Sequence, residues 1–159
     1  MSETVIQVTS LGKRIKGKTI LEDISFEINK GDCVALIGPN GAGKTVLMSC
    51  ILGDKKPSRG QVLIDGKAGK AKNKIAVLLQ ENTIPNSLKV EELIAFFQSI
   101  SDNPLTNQEV QDLLQFKEDQ YQQFADKLSG GQRRLLAFVL CLIDKPKILF
   151  LDEPTAGMD

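Results

Sequence analysis

The sequence predicts an α/β fold: a largely parallel sheet carrying helices, with an antiparallel layer built from its N-terminal part. Three observations predict it. Apolar runs at 34–37, 74–79 and 147–151 have the length of buried strands. Helical patterns lie between them, and strands alternating with helices indicate parallel pairing. The first thirty residues are instead extended, broken only by short basic or glycine-containing turns.

In chain order, Val5 to Val8 alternates apolar and polar residues as a half-buried strand does. Leu11 to Lys18 reads as a basic turn region, and Thr19 to Asn29 as a second extended stretch with Leu21, Ile24, Phe26 and Ile28 apolar. Lys30-Gly31-Asp32 forms a tight turn into Val34-Ala35-Leu36-Ile37, a short buried strand. The glycine-rich stretch Gly38-Pro39-Asn40-Gly41-Ala42-Gly43-Lys44-Thr45 comes next, then a helix whose apolar positions 46, 47, 50 and 51 share one face. Gly53 suits that helix's C-terminal end, Pro57 to Gly60 is a loop, and Gln61 to Asp65 is a strand turning at Gly66.

Lys74 to Leu79 is a strongly apolar strand ending at Gln80. From Glu81 to Lys127 the character changes to helices and loops. Val90 to Ile100 sets Leu93, Phe96, Phe97 and Ile100 at amphipathic spacing. Thr106 with Glu109 three residues on fits a capping box, followed by the apolar face Val110, Leu113 and Leu114. Plain packing accounts for both helices. Leu128-Ser129-Gly130-Gly131-Gln132 opens a third helix that runs to about Asp144, where Pro146 forces its end. Lys147 to Leu151 is the last strand and delivers Asp152 and Glu153 at its carboxyl end.

Composition narrows the chemistry. Twenty basic and twenty acidic residues cancel, so bulk charge points to neither nucleic acid nor an anionic membrane as partner. The longest apolar run, Leu135 to Ile143, is too short to span a bilayer, and Met1 to Thr4 lacks the basic start of a secretory signal. Cys33, Cys50 and Cys141 have no metal-ligand spacing and read as buried, reduced thiols of a cytosolic protein. The chain has no histidine, which removes Ser-His-Asp, Cys-His and ordinary zinc catalysis together.

Strand, glycine-rich turn and helix are the setting in which G-x-x-x-x-G-K-[ST] marks a phosphate site. Glycines let successive amides converge on an anion, and the positive end of the helix dipole faces the same point. Lys44 then reaches the β- and γ-phosphates, and the Thr45 hydroxyl is placed for Mg²⁺. Ligands of open α/β sheets bind outside the carboxyl ends of strands. Asp152 is therefore expected at the same edge, holding Mg²⁺ opposite Thr45, with Glu153 taking a proton from, or orienting, an attacking water. The bland alternative is a solvated acidic pair before Pro154. Leu128 to Gln132 is a second anion-binding candidate or merely a helix cap, and spacing alone leaves both open.

Taken in order, Gly38 to Thr45, the strand-ending Gln80, Leu128-Ser129-Gly130-Gly131-Gln132 and Ile148-Leu149-Phe150-Leu151-Asp152-Glu153-Pro154-Thr155 closely resemble the ATP-binding subunit of ABC transporters. The resemblance runs from about Val5 to Asp159, and the Leu-Ser-Gly-Gly-Gln element is highly specific to that superfamily. It implies a P-loop NTPase (RecA-like) core, 1–80 and 133–159, with an N-terminal antiparallel layer and an inserted helical subdomain, 81–132, that docks on membrane helices. It further implies ATP and Mg²⁺ as cofactors and a second ATPase subunit, paired head to tail around two ATP molecules. A transmembrane permease partner and a peripheral position on the cytoplasmic face of the cell membrane are implied as well. Gly38, Asn40, Gly41, Ala42, Gly43, Lys44 and Thr45 would cradle the phosphates. Gln80 would contact Mg²⁺ and sense the transport partner, Asp152 would support the metal and Glu153 would be the catalytic base. Ser129, Gly130, Gly131 and Gln132 would bind the γ-phosphate held by the other protomer, and Asp159 would lie in the loop crossing the dimer interface.

Two departures stand out. Where the family usually places an adenine-stacking aromatic, this chain has Ile15. The family's switch histidine lies well beyond the catalytic glutamate, but the sequence ends six residues after Glu153. The expectation is a fragment missing the C-terminal part of the fold, which binds nucleotide and hydrolyses it poorly. The ending Ala156-Gly157-Met158-Asp159 resembles exporter subunits of the antibiotic or multidrug kind. A soluble ATPase of ribosomes or DNA, or a non-catalytic nucleotide-binding regulator, are the rival readings. The coiled-coil form of the first is disfavoured, because no heptads separate Gln80 from Ser129.

Overall fold

Apolar side chains recurring from Val5 onward build one long strand, β1 (Thr4–Ile15), with Ile6, Val8 and Leu11 fully buried. β2 (Lys18–Asn29) pairs with it antiparallel, and β3 (Arg59–Ile64) pairs antiparallel on its other side, with Ile6 opposite Ile64 and Val8 opposite Val62. The short β4 (Lys67–Ala68) completes a sheet of order β2-β1-β3-β4. The computed structural model describes residues 3–68, 75–78 and 84–152, in two compact units, Met1–Lys72 and Asn73–Asp159.

The first unit corrects three expectations. Leu11 to Lys18 is not a turn region: β1 continues to Ile15, and the turn is only Lys16-Gly17, both at positive φ (48° and 79°). That is the two-residue hairpin geometry whose twist matches the strands. A lysine at its first position, where Asn or Asp is usual, hid the signal. Val34 to Ile37 belongs to neither sheet and is exposed, Ile37 to 90%. A strand exists through its neighbours' hydrogen bonds, and β1 to β4 pair only among themselves. Cys33, beside this segment, is therefore exposed, whereas Cys50 is buried.

Gly60 is a place where only glycine fits. It sits at φ +72°, and a Cβ there would lie 2.3 Å from the carbonyl oxygens of Thr9 and Ser10. The close approach coincides with a register shift between β1 and β3, where Ser10 itself is at φ 46°. Left-handed strain of about 1–2 kcal/mol adds to a backbone clash that cannot be relieved by a rotamer change. Gly60→Ala is expected to lower stability by about 3 kcal/mol and Tm by roughly 10 °C. A melting curve that shifts by less than 2 °C would contradict it.

The helix α1 (Lys44–Ile51) buries Leu47, Cys50 and Ile51, which together with Ile6, Val8, Leu11, Leu21 and Ile64 are the buried apolar side chains of this unit. It ends at Leu52, and Gly53 follows in the left-handed region (φ 80°), as the glycine there predicts.

In the second unit β5 (Ile75–Leu78) and β6 (Ile148–Leu151) pair in parallel, Ile75 opposite Ile148 through Leu78 opposite Leu151. Three helices, α2 (Val90–Ser99), α3 (Asn107–Leu114) and α5 (Gly130–Leu142), supply most of its core, and the short α4 (Glu118–Tyr121) packs only the half-buried Tyr121 against it. Beyond Gly130 at its start, α5 has no exposed residue, as befits a helix apolar on nearly every side. α2 is rotated from the expected face. Val90, Leu93 and Ile94 are buried, while Phe96 (54%) and Ile100 (65%) face solvent. Two overlapping i, i+3, i+7 stripes run along this helix, and the pattern cannot say which one the core takes. No helix among the described residues is long and apolar enough to cross a membrane.

α3 begins as its capping box predicts. The Thr106 amide donates to Glu109 Oε2 at 2.7 Å, and the Glu109 amide donates to Thr106 Oγ1 at 3.2 Å. The amide bond, and then the hydroxyl, hold the Glu109 carboxyl below its ordinary value of 4.5. The folded state therefore binds this proton less well than the unfolded chain. Its stabilising effect is complete above pH 4.5 and is lost as pH falls through the depressed folded value. Glu109→Gln should flatten the acid limb of an unfolding curve below pH 4.5 and leave the neutral limb's shape unchanged. An acid limb identical to that of the unsubstituted protein would contradict this.

Candidate nucleotide-binding site

The glycine-rich loop enters α1 directly. Gly43 is the residue ahead of the helix, in the left-handed region (φ 93°), and makes no side-chain cap. A Cβ at Gly43 would come within 2.9 Å of Leu21 Cδ2 and 3.3 Å of the Ile20 carbonyl, so packing and backbone both require glycine. Gly41 is also left-handed (φ 81°), but nothing lies within 4 Å of its missing Cβ. There the conformation alone selects glycine, and the space it leaves is open. Ala42 N–H donates to the Pro39 carbonyl at 3.2 Å, closing the turn.

α1 has no acidic residue in its first turn, and the amides of Lys44, Thr45 and Val46 precede its internal ladder. Lys44 folds back over the loop. Its Nζ donates to the carbonyls of Gly38 at 2.5 Å and Pro39 at 3.0 Å. A cation held at the rim, unpaired amides and left-handed glycines form a concavity for an anion. Thr45 is exposed in the same first turn, as are Asn40 and Ala42 beside it in the loop. Ile15 ends β1 in the same unit and is half-buried.

No group of three or more acidic, cysteine or histidine side chains is gathered among the described residues. The exposed Thr45 hydroxyl is an oxygen donor of the kind Mg²⁺ takes alongside phosphate oxygens and water. A cavity of about 110 Å³ in the second unit is lined by Phe97, Ile100, Leu140 and Ile143. It is far smaller than nucleotide pockets of about 300 Å³ or more.

In the second unit Ser129 caps α5. Its amide donates to Gln132 Oε1 at 3.0 Å, and the Gln132 amide donates to Ser129 Oγ at 3.3 Å. The spacing that signals a capping box at Thr106 recurs here, so Ser129 and Gln132 satisfy each other. The amides of Gly130 and Gly131 lie ahead of the helix ladder and face outward at its positive end. Asp152 follows β6, half-buried, and its amide donates to the Leu78 carbonyl at 2.9 Å, extending the parallel pairing by one bond. Its carbonyl accepts from Arg134 Nη2 at 3.1 Å. Gln80, Glu153 and Asp159 lie outside the described residues.

The structure thus brings Gly38, Asn40, Gly41, Ala42, Gly43, Lys44 and Thr45 together in one loop, with Ile15 in the same unit. It places Ser129, Gly130, Gly131, Gln132 and Asp152 in the other unit. Arg134 was not singled out by sequence reasoning. The available signal was a charged residue directly ahead of the apolar run from Leu135 to Ile143, in the same predicted helix.

Residues 21–156 match the family model described as ABC transporter. The spermidine/putrescine import ATP-binding protein PotA of Protochlamydia amoebophila is 35% identical over 158 residues, covering 94% of this chain and 42% of that protein. The Nod factor export ATP-binding protein I of Ralstonia nicotianae is 33% identical over 169 residues, covering 99% and 52%. A solved ATP-binding subunit of an ABC transporter superposes with a TM-score of 0.79 at 25% identity, over 96% of this chain and 68% of that one. The chain spans about half the length of the curated relatives it matches. With the match covering most of its length, the chain belongs to the ABC transporter family, as a nucleotide-binding domain of the P-loop NTPase fold.

Proposed function

We propose that this chain binds and hydrolyses ATP to drive transport through a transmembrane permease partner, working as a head-to-tail pair with a second ATPase subunit on the cytoplasmic face of the membrane. The observation that carries the reading is the loop from Gly38 to Thr45, where Lys44 Nζ holds the Gly38 and Pro39 carbonyls and Gly41 and Gly43 are left-handed at the start of α1. Gly38, Asn40, Gly41, Ala42, Gly43 and Lys44 bind the phosphates, and Thr45 and Asp152 hold the divalent ion with Gln80. Glu153 accepts the proton of the attacking water. Ser129, Gly130, Gly131 and Gln132 meet the γ-phosphate bound by the partner protomer, through the outward amides of α5. Mg²⁺ bound with the nucleotide supplies neutralisation of phosphate charge. Residues 1–80 with 133–159 act as the nucleotide-binding core, and 81–132 as the helical subdomain facing the permease.

The ending Ala156 to Asp159 supports export. Relatives named for import and for export match at similar identity, so the permease partner sets direction and cargo. The natively expressed subunit, isolated with its membrane partner, should bind Mg-ATP at micromolar to millimolar concentration and turn it over. Absence of nucleotide binding at several millimolar ATP would overturn the reading.

Base selectivity should be weak. Ile15 offers apolar contact but no π face to an adenine ring. ATP and GTP should compete for the site within about a tenfold ratio, and Ile15→Tyr should tighten ATP binding by a factor of about 5–10, the contribution of one aromatic stack. ATP bound more than tenfold tighter than GTP in the unsubstituted protein would count against it.

A further inference from the structure

We propose that Arg134 is a positioning residue: from the interior of α5 it fixes the backbone at Asp152 and so sets how the divalent ion is held. It is the one buried charged side chain among the described residues, 8% exposed, and it lies on the buried side of α5 with Leu136, Ala137 and Leu140. An apolar residue would satisfy packing there at no desolvation cost, whereas a guanidinium must be hydrogen-bonded to be tolerated. One of its bonds goes to the Asp152 carbonyl, at 3.1 Å. The amide of the same residue is held by the Leu78 carbonyl at 2.9 Å. Asp152 is thus pinned on both sides, once by the neighbouring strand and once by the helix.

The carbonyl carbon of Asp152 belongs to the planar peptide unit that leads on to Glu153. Holding that oxygen, with the amide already held, restricts the backbone of Asp152 and so the direction from which its side chain departs. The helix adds a mechanical consequence. Arg134 sits five residues from Ser129, about 7.5 Å along one rigid helix. Movement of the Ser129 end is passed along this helix, through Arg134, to the end of β6. The inference rests on the ATPase reading above.

The test uses Arg134→Lys and Arg134→Gln in the natively expressed subunit with its partner. Mn²⁺ affinity is read by electron paramagnetic resonance with a non-hydrolysable ATP analogue, beside ATP affinity, turnover and Tm. Lysine keeps one charged donor, and glutamine keeps only a weaker, shorter one. The expected result is a graded loss of Mn²⁺ affinity, about threefold for lysine and tenfold or more for glutamine. ATP affinity without metal, which Lys44 governs, should stay within twofold. Unchanged Mn²⁺ affinity in either variant that melts within a few degrees of the unsubstituted protein would overturn the proposal. So would activity falling only in proportion to the folded fraction. Should the glutamine variant not fold, the lysine variant decides alone by the same measure. Failure of the unsubstituted protein to bind ATP would refute the ATPase reading itself, a different result.

Discussion

Lys44→Ala should lower ATP affinity by about a hundredfold and leave no measurable turnover. The lysine supplies the only side-chain cation in the loop, and its ammonium already donates to two loop carbonyls, Gly38 and Pro39. Charge-assisted hydrogen bonds contribute about 1.5–3 kcal/mol each, and a hundredfold in affinity is about 2.7 kcal/mol. One lost contact to phosphate is therefore enough, before counting the loop's own loosening. The truncation leaves the buried face of α1, Leu47, Cys50 and Ile51, untouched, so the fold should survive. Lys44→Arg is informative as well. A planar fork cannot replace a compact ammonium between carbonyls this close, and it should recover little of the binding. Isothermal titration with Mg-ATP checks both, and an alanine variant binding within threefold of the unsubstituted protein would remove the loop from the mechanism.

Glu153→Gln should reduce turnover by about a thousandfold while leaving ATP binding intact, within the range a positioned general base contributes. Glutamine keeps the shape and the ability to orient water, and loses the capacity to accept its proton. Nucleotide that binds without being cleaved should accumulate between two protomers. Size-exclusion chromatography would then show an Mg-ATP-dependent dimer that is absent with ADP. A non-catalytic regulator would show no change on this substitution. Turnover by the glutamine variant above a tenth of the starting rate would place the base elsewhere.

The glycine-rich turn was legible because its glycines answer to backbone conformation, which is local: Gly41 and Gly43 are left-handed ahead of α1. Helix starts were legible for the same reason, since Thr106 and Ser129 each find their partner three residues away. What failed depended on distant neighbours. Val34 to Ile37 has the composition of a strand, but composition cannot supply the strand beside it. Phe96 and Ile100 fit an apolar stripe as well as Ile94 does, and only the packing against α5 separates them. Lys16 occupies a hairpin position that favours Asn or Asp, so β1 is longer than its pattern suggested. Arg134 was hidden because a charge in a helix ordinarily means a solvated face.

The exposed stretch from Cys33 to Ile37 has a practical consequence for anyone handling the protein. It is an uncharged, β-prone pentapeptide without proline, and Val34 and Ile37 are 60% and 90% accessible. Such a stretch can recruit the same stretch of another copy by strand addition. Clumping by that route grows with concentration and ignores nucleotide and metal alike. Turbidity that persists without ATP marks this surface, and must be subtracted before any nucleotide-dependent pairing is counted.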